Sequence, residues 1–292
     1  MSLQDGLQQA LRGRYAIERA LGNPAGSFEF EARAADGSRA WIEATEVRDA
    51  VEFERALARA REFRHVRVLA PDGAGVSSGI AWCATLVPQR SLTLRTWLSR
   101  EVALPMLETV RILREVAEGL EAAHRDGFVH GNLSPERVVW IEPDVALAGL
   151  AFANAVAISN RSVRGPLDDL HALGALGHEL LTGRVPATAP VNALREHLPP
   201  GLARLIVRCL DPDPAQRPQS ATDLLRVLAP MVTPRPGYEA EHVVQQARFF
   251  ARRGGDGLAR AVELFEQALA LEPGNAAARE GLDDACSRLR AR

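Results

Sequence analysis

The run His130-Gly131-Asn132-Leu133-Ser134-Pro135-Glu136-Arg137-Val138-Val139 brings an imidazole, an amide, a hydroxyl, a carboxylate and a guanidinium close together along the chain. Side chains of these kinds move protons or hold anions, and the types present decide which. The amide of Asn132 is not a usable proton acceptor, so it offers hydrogen bonds and no general base. Arg137 carries a fixed positive charge that opposes a bound cation and can meet a phosphate directly. Downstream, Val145-Ala146-Leu147 leads into Gly149-Leu150-Ala151, where no carboxylate stands to hold a metal. The chain also has no lysine: its 35 Lys+Arg are all arginine, so no compact ammonium is available to any site.

Bulk properties narrow the classes. A length of 292 residues with 47% hydrophobic residues suits two or three domains with a sizeable core. A net charge of -2 gives no argument for nucleic acid or for an anionic membrane surface. No apolar run approaches the ~18 residues that span a bilayer, and Met1-Ser2-Leu3-Gln4-Asp5 opens no signal peptide. Cys83, Cys209 and Cys286 are odd in number and far apart. They form neither a metal motif nor a disulfide framework, which fits a reducing cytoplasm.

The elements that must position the reactive run follow from periodicity. Leu3, Leu7 and Leu11 predict a short helix. Residues 14–21, Phe30–Arg33 and Ala40–Ala44 predict strands, with a turn at Ala35-Asp36-Gly37-Ser38. Residues 49–64 predict a helix, Val68–Ala70 and Ile80–Val87 two more strands, and Leu92–Arg100 a short helix. Pro105–Gly127 is a long amphipathic helix stopped by Gly127.

These motifs resemble bacterial serine/threonine protein kinases over residues 14–229. His130–Val139 is similar to the catalytic loop H-R-D-L-K-P-E-N. "GRYAIERALG" resembles the first strand leading to the glycine-rich loop. Asp169-Leu170-His171-Ala172-Leu173-Gly174 resembles the opening of helix F. Asp211-Pro212-Asp213-Pro214-Ala215-Gln216-Arg217-Pro218 resembles the end of the large lobe. The resemblance implies an α+β, two-lobed protein-kinase-like fold. An N-terminal extension occupies 1–13, the kinase-like domain 14–232 (small lobe 14–87, large lobe 88–232), and a linker with helices 233–292. It implies structural roles for His130, Asp169 and Arg217. Arg217 would lack its usual A-P-E glutamate and need another acceptor.

The same alignment marks departures. Glu43 falls on the strand lysine, where a carboxylate would repel phosphates. Ala56 falls on the helix C glutamate, Asn132 on the base, Ser134 on the loop lysine, and Arg137 and Gly149 on the two metal ligands. Pro24, Ser27 and Phe28 crowd the glycine-rich loop. The activation segment from Gly149 to Asp169 lacks A-P-E, and Ser159 and Ser162 read as plain loop residues. The expectation is therefore a catalytically inactive pseudokinase, not an enzyme. It would hold no cofactor and no metal and act as a scaffold or allosteric regulator. The alternatives are a metal-independent nucleotide sensor and an atypical serine/threonine kinase.

Beyond Met231–Gly237, a proline-rich linker, residues 239–252, 257–271 and 275–289 predict helices. Ala261, Phe265, Ala268 and Pro273 match part of a tetratricopeptide (TPR) repeat. A single repeat is too short to hold a core, so it packs on the large lobe, pairs with another chain or continues in a longer protein. The expected partner is a protein, an active kinase or its substrate, with Phe249, Phe250 and Phe265 as candidate contacts, or a second copy of the chain through these helices.

Overall fold

A computed structural model describes residues 3–11, 13–22, 28–77, 79–100, 103–160, 164–186, 198, 200–232, 240, 243, 244, 247, 248, 250, 251 and 256–290. The chain divides into two compact units, Met1–Leu104 with Thr109–Leu228, and Pro105–Glu108 with Ala229–Arg292.

In the first unit, helix α1 (Leu3–Leu11) precedes strands β1 (Tyr15–Gly22), β2 (Phe28–Ala34) and β3 (Arg39–Glu46). Helix α2 (Ala50–Glu62) follows, then β4 (Pro71–Ser77) and β5 (Ile80–Leu86). The strands form one antiparallel sheet in the order β1-β2-β3-β5-β4. Strand alternation divides it into two faces. Phe30, Ala32, Ala40, Ile42, Ala44, Trp82 and Ala84 share an apolar cluster with Leu7 and Leu11 of α1. On the other face, Ala81 and Cys83 join Phe53, Ala56, Leu57 and Ala60 of α2. Burial on both faces explains why Ile80–Leu86 reads as an unbroken apolar run.

The strand expected at Val68–Ala70 is a correction. Val68 makes only isolated bridges to His65 and Leu147, and the real strand is Pro71–Ser77. Its glycines disguise it. A Cβ at Gly73 would lie 2.4 Å from the Tyr15 hydroxyl, and one at Gly75 3.5 Å from the Trp82 indole nitrogen. Glycine is kept where aromatic side chains approach the backbone closely.

The large lobe opens with β6 (Leu92–Thr93) and α3 (Leu94–Leu98), shorter than the expected helix because Leu92 and Thr93 pair with the later strand. Then come α4 (Met106–Arg125), β7 (Val138–Ile141) and β8 (Asp144–Leu147). The segment read as a loop after Gly149 is instead helix α5 (Leu150–Ser159). Its Leu150, Ala151, Phe152 and Ala155 complete the apolar cluster of α2, with Phe152 edge-on to Phe53 at 5.9 Å between ring centroids. Ser159 is therefore no loop residue: it is buried, and its hydroxyl donates to the Asp49 carbonyl. Ser162, Pro24 and Ser27 lie outside the described residues.

Helix α6 (Pro166–Thr182) starts on a proline and ends at Gly183 in the left-handed region. Helix α7 (Pro200–Cys209) crosses it closely: a Cβ at Gly174 would sit 2.4 Å from Cys209 Cβ. Helix α8 (Ala221–Val232) follows.

In the second unit, α9 (Asp256–Leu271) and α10 (Ala276–Arg290) pack together with Val243, Val244, Ala247 and Ala251. Phe265 is corrected from a candidate partner contact to a core residue, 1% exposed, its ring filling the space beside Gly281. Phe250 packs partly buried against the same cluster, and Phe249 lies outside the described residues. Among the described residues no helix is long and apolar enough to cross a membrane. Phe265→Ala should cost the C-terminal helices about 3–5 kcal/mol in urea unfolding; a surface-contact role would leave the midpoint unchanged.

Candidate functional site

The reactive run is held from below by Asp169, in the first turn of α6. Its carboxylate accepts from the backbone N–H of His130 at 2.8 Å and of Gly131 at 2.7 Å, and contacts His124 Nε2 at 2.8 Å. His130 is fully buried. Asn132 N–H donates to its Nδ1 at 3.3 Å, so the ring proton sits on Nε2 and reaches the Ala148 carbonyl at 3.2 Å. Burial pushes its pKa down to about 4, only partly countered by Asp169, so the ring is neutral near pH 7. Asp169 thus contacts backbone groups of the loop, and His130 the carbonyl of Ala148. Arg217 finds its acceptors in the carbonyls of Asp211, Leu167 and Pro212 at 2.8, 3.2 and 3.3 Å.

Further along the run, Glu136 takes a 2.6 Å bond from Arg95, which also reaches Glu179 at 2.6 Å. Burial works to raise the Glu136 pKa, but hydrogen bonds from Arg95 and Ser134 outweigh it and hold the carboxyl below its usual range. Ser134 thus supports a neighbour and does not face the centre of the cleft. Ala56 sits within the apolar α2–α5 cluster, where a glutamate would be buried among hydrocarbons.

The centre is built by β2, β3 and the loop before β7. Glu29 and Glu43 face each other across the β2–β3 register. Like charges directly opposite on neighbouring strands repel. Arg137 bridges them, one nitrogen on Glu29 and another on Glu43 Oε1 at 2.8 Å. The three side chains are 12%, 6% and 5% exposed for Glu29, Glu43 and Arg137. Burial drives the Glu43 pKa up to about 7; Arg137 opposes the rise and Glu29 adds to it. Glu29 is raised by the same burial, with Arg137 opposing. The expectation of Glu43 as a carboxylate that repels phosphate is modified: Arg137 pairs with it, but Glu29 shares that one guanidinium, so the cluster stays negative when both carboxylates are ionised.

Gly149 completes this arrangement. Its φ of 87° favours glycine, and a Cβ there would lie 3.1 Å from Glu43 Oε2 and 3.2 Å from an Arg137 nitrogen. The ion pair fills the space that a side chain at 149 would enter. Positions 43, 137 and 149 thus come together, with a carboxylate at 43, a guanidinium at 137 and no side chain at 149. Asn132 stands apart, sharing with Glu43, Asn160 and Arg164 a smaller cavity of about 280 Å³.

On the other side of the triad is a cavity of about 620 Å³, lined by Arg19, Trp41, Thr93 and Arg95 as well as the triad. The Trp41 indole N–H is buried with no hydrogen-bond partner among the described residues. Sequence reasoning missed Glu29, Arg95 and Trp41 as parts of the site. The signal was present for Glu29: a buried arginine needs carboxylates, and strand pairing puts Glu29 opposite Glu43. Among the described residues no group of three or more His, Cys, Asp or Glu is arranged to hold a metal ion.

No family model matches the chain. Its homologues and structural neighbours are bacterial serine/threonine protein kinases. Serine/threonine-protein kinase pkn2 of Myxococcus xanthus is 29% identical, over 43% of this chain and 21% of that protein. PknL of Mycobacterium tuberculosis is 33% identical, over 33% of this chain and 29% of that protein. The chain thus spans under a third of the length of these curated relatives. The crystal structure of the Mycobacterium tuberculosis PknI kinase domain superposes with a TM-score of 0.58 at 21% identity, over 75% of this chain and 96% of that one. The two-lobed protein-kinase-like fold is established by that likeness. The expectation of an inactive scaffold is corrected by the same comparisons: the relatives are named as kinases and favour the alternative of an atypical kinase.

Two outcomes test the triad. Arg137→Met leaves two buried carboxylates without a cation and should cost about 3–5 kcal/mol in chemical denaturation. The Glu43 pKa is raised on folding, from 4.5 to about 7, so the folded state holds the extra proton and stability falls as pH rises through that window. The depressed His130 works the other way from about 4 to 6.5. The difference between wild type and Glu43→Gln isolates the carboxylate: wild type should lose stability relative to the variant from about pH 4.5 to 7, and a flat difference would contradict the buried, proton-sharing site.

Proposed function

We propose that the chain is an atypical serine/threonine protein kinase that takes ATP into the cleft beside Arg137 without relying on a dedicated set of metal carboxylates. The observation that carries the reading is the buried guanidinium at the wall of a cavity of about 620 Å³ between sheet and loop. The names of the homologues support it at the level of reaction class. Phosphoryl transfer asks the protein mainly for alignment and charge neutralisation, because the transition state is loose. On this frame Arg137 balances phosphate charge. Asn132 orients the acceptor hydroxyl through its amide oxygen and does not remove its proton, which passes to an oxygen of the transferred phosphoryl group as the bond to it forms and the bond to ADP breaks. Without the usual ammonium and metal ligands, transfer should run below ~1 s⁻¹, the low end for kinases.

A second reading, nucleotide binding without transfer, is favoured by one observation: the amide of Asn132 is no base. Under either reading we assign residues 233–292 as a TPR-like element that docks a protein, the acceptor or another kinase, or pairs with a second copy, and the cytoplasm as the working compartment.

ATP should raise the melting temperature with and without magnesium. Radiolabelled phosphate should enter a generic protein substrate slowly with wild type and not with Asn132→Leu. A shift without incorporation leaves the second reading, and no shift under either condition contradicts both.

A further inference from the structure

We propose that the cleft binds nucleoside phosphates together with one proton, which is taken up by the Glu29–Arg137–Glu43 cluster. This rests on the nucleotide reading above and adds a condition to it.

The argument is one of charge and space. Two carboxylates share a single guanidinium in a buried setting, so the cluster is negative when both are ionised. Arg137 then has both edges occupied, and an incoming phosphate meets net repulsion. Protonating one carboxylate removes that repulsion and frees one guanidinium edge for the anion. Glu43 is the natural site. It is the more buried of the two carboxylates, and burial already brings its proton affinity to near-neutral pH.

The neighbours leave the proton nowhere better to go. From β2 only Glu29 faces Glu43, and from β5 only Cys83, whose thiol burial keeps protonated. α2 contributes the apolar Ala56 to the adjoining core, and position 149 is a glycine. On the loop, Glu136 is engaged by Arg95. His130 stays neutral, and Asp169 is engaged with backbone N–H groups and His124. Arg164, near Asn132, donates to the Gly131 carbonyl. A separate observation points to a ligand in the same cavity. Trp41, two residues from Glu43 on the same strand face, lines it with its buried N–H unpaired. A nucleotide would supply that acceptor.

The test is calorimetric titration with adenosine 5′-phosphosulfate, whose acid groups do not titrate near neutral pH. It is run from about pH 6 to 8.5 in two buffers of different ionisation heat. Wild type should take up about one proton per ligand at about pH 8 and bind about tenfold more weakly for each pH unit above about 7.5. Glu43→Gln should bind with a flat pH profile and no uptake. Binding by wild type with constant affinity and no proton uptake would overturn the coupling and leave the nucleotide reading standing. A Glu43→Gln protein that keeps the wild-type profile would overturn the assignment to Glu43. No binding by wild type of either this probe or ATP at any pH would remove the nucleotide reading itself. Should Glu43→Gln not fold, the proton count on wild type decides the coupling, and Glu29→Gln, which should lower the pH at which affinity starts to fall, decides whether the cluster is its source.

Discussion

A single buried guanidinium decides the character of this molecule. Arg137 leaves the loop of the large lobe and bridges two carboxylates of the small lobe sheet, Glu29 and Glu43, that would otherwise repel across adjacent strands. Buried ion pairs are poor sources of net stability, since desolvation consumes most of the Coulombic gain. Their usual benefit is placement, and here the placement is specific: the triad ties β2 and β3 to the loop before β7. It also fixes the residue at 149, because glycine alone suits both the backbone angle and the space left beside the pair. Positions 43, 137 and 149 depend on one another: changing any one alone would bury an unmatched charge or introduce a clash.

The frame around the triad depends on ordinary packing. Helix α5 fills the flank of α2 with Phe152, Ala151 and Ala155, so the sheet, α2 and α5 share one apolar cluster. Asp169 gathers the loop from beneath by accepting two backbone N–H groups, which fixes where Asn132 and Arg137 begin. Because burial keeps His130 neutral and its two backbone contacts place the proton on Nε2, it behaves as a spacer with defined edges, not as a titrating group at neutral pH.

Much of this was legible in the residues. Alternation located β1, turn signals bracketed β2 and β3, a short apolar run located β5, and the long apolar stripe located α4. The resemblance to kinases was what pointed to positions 43, 137 and 149 as members of one site. What stayed hidden has physical reasons. Strand β4 carries Gly73 where the Tyr15 hydroxyl occupies the space of a Cβ, and with Gly75 it is short of strand-like side chains. Helix α5 is apolar nearly all round, so it shows no helical stripe, and it sits where a loop is the ordinary expectation. Position 43 looked like an isolated repulsive charge because a single sequence lists charges without their partners. The cation that satisfies Glu43 lies far away along the chain and adjacent only once the lobes meet. Phe265 reads both as filler between paired helices and as a candidate partner contact; the surface it fills, the bare face at Gly281, is a tertiary feature that decides for the first.

The most direct measurement is a double-mutant cycle between Glu43 and Arg137, using Glu43→Gln, Arg137→Met and the pair together in urea unfolding at about pH 8, above the Glu43 pKa of about 7. The account predicts a favourable coupling of about 1–3 kcal/mol, with the double variant more stable than Arg137→Met alone because one unmatched buried charge has gone. A coupling within about 0.3–0.5 kcal/mol of zero would mean the two side chains do not meet, and the buried triad would have to be abandoned.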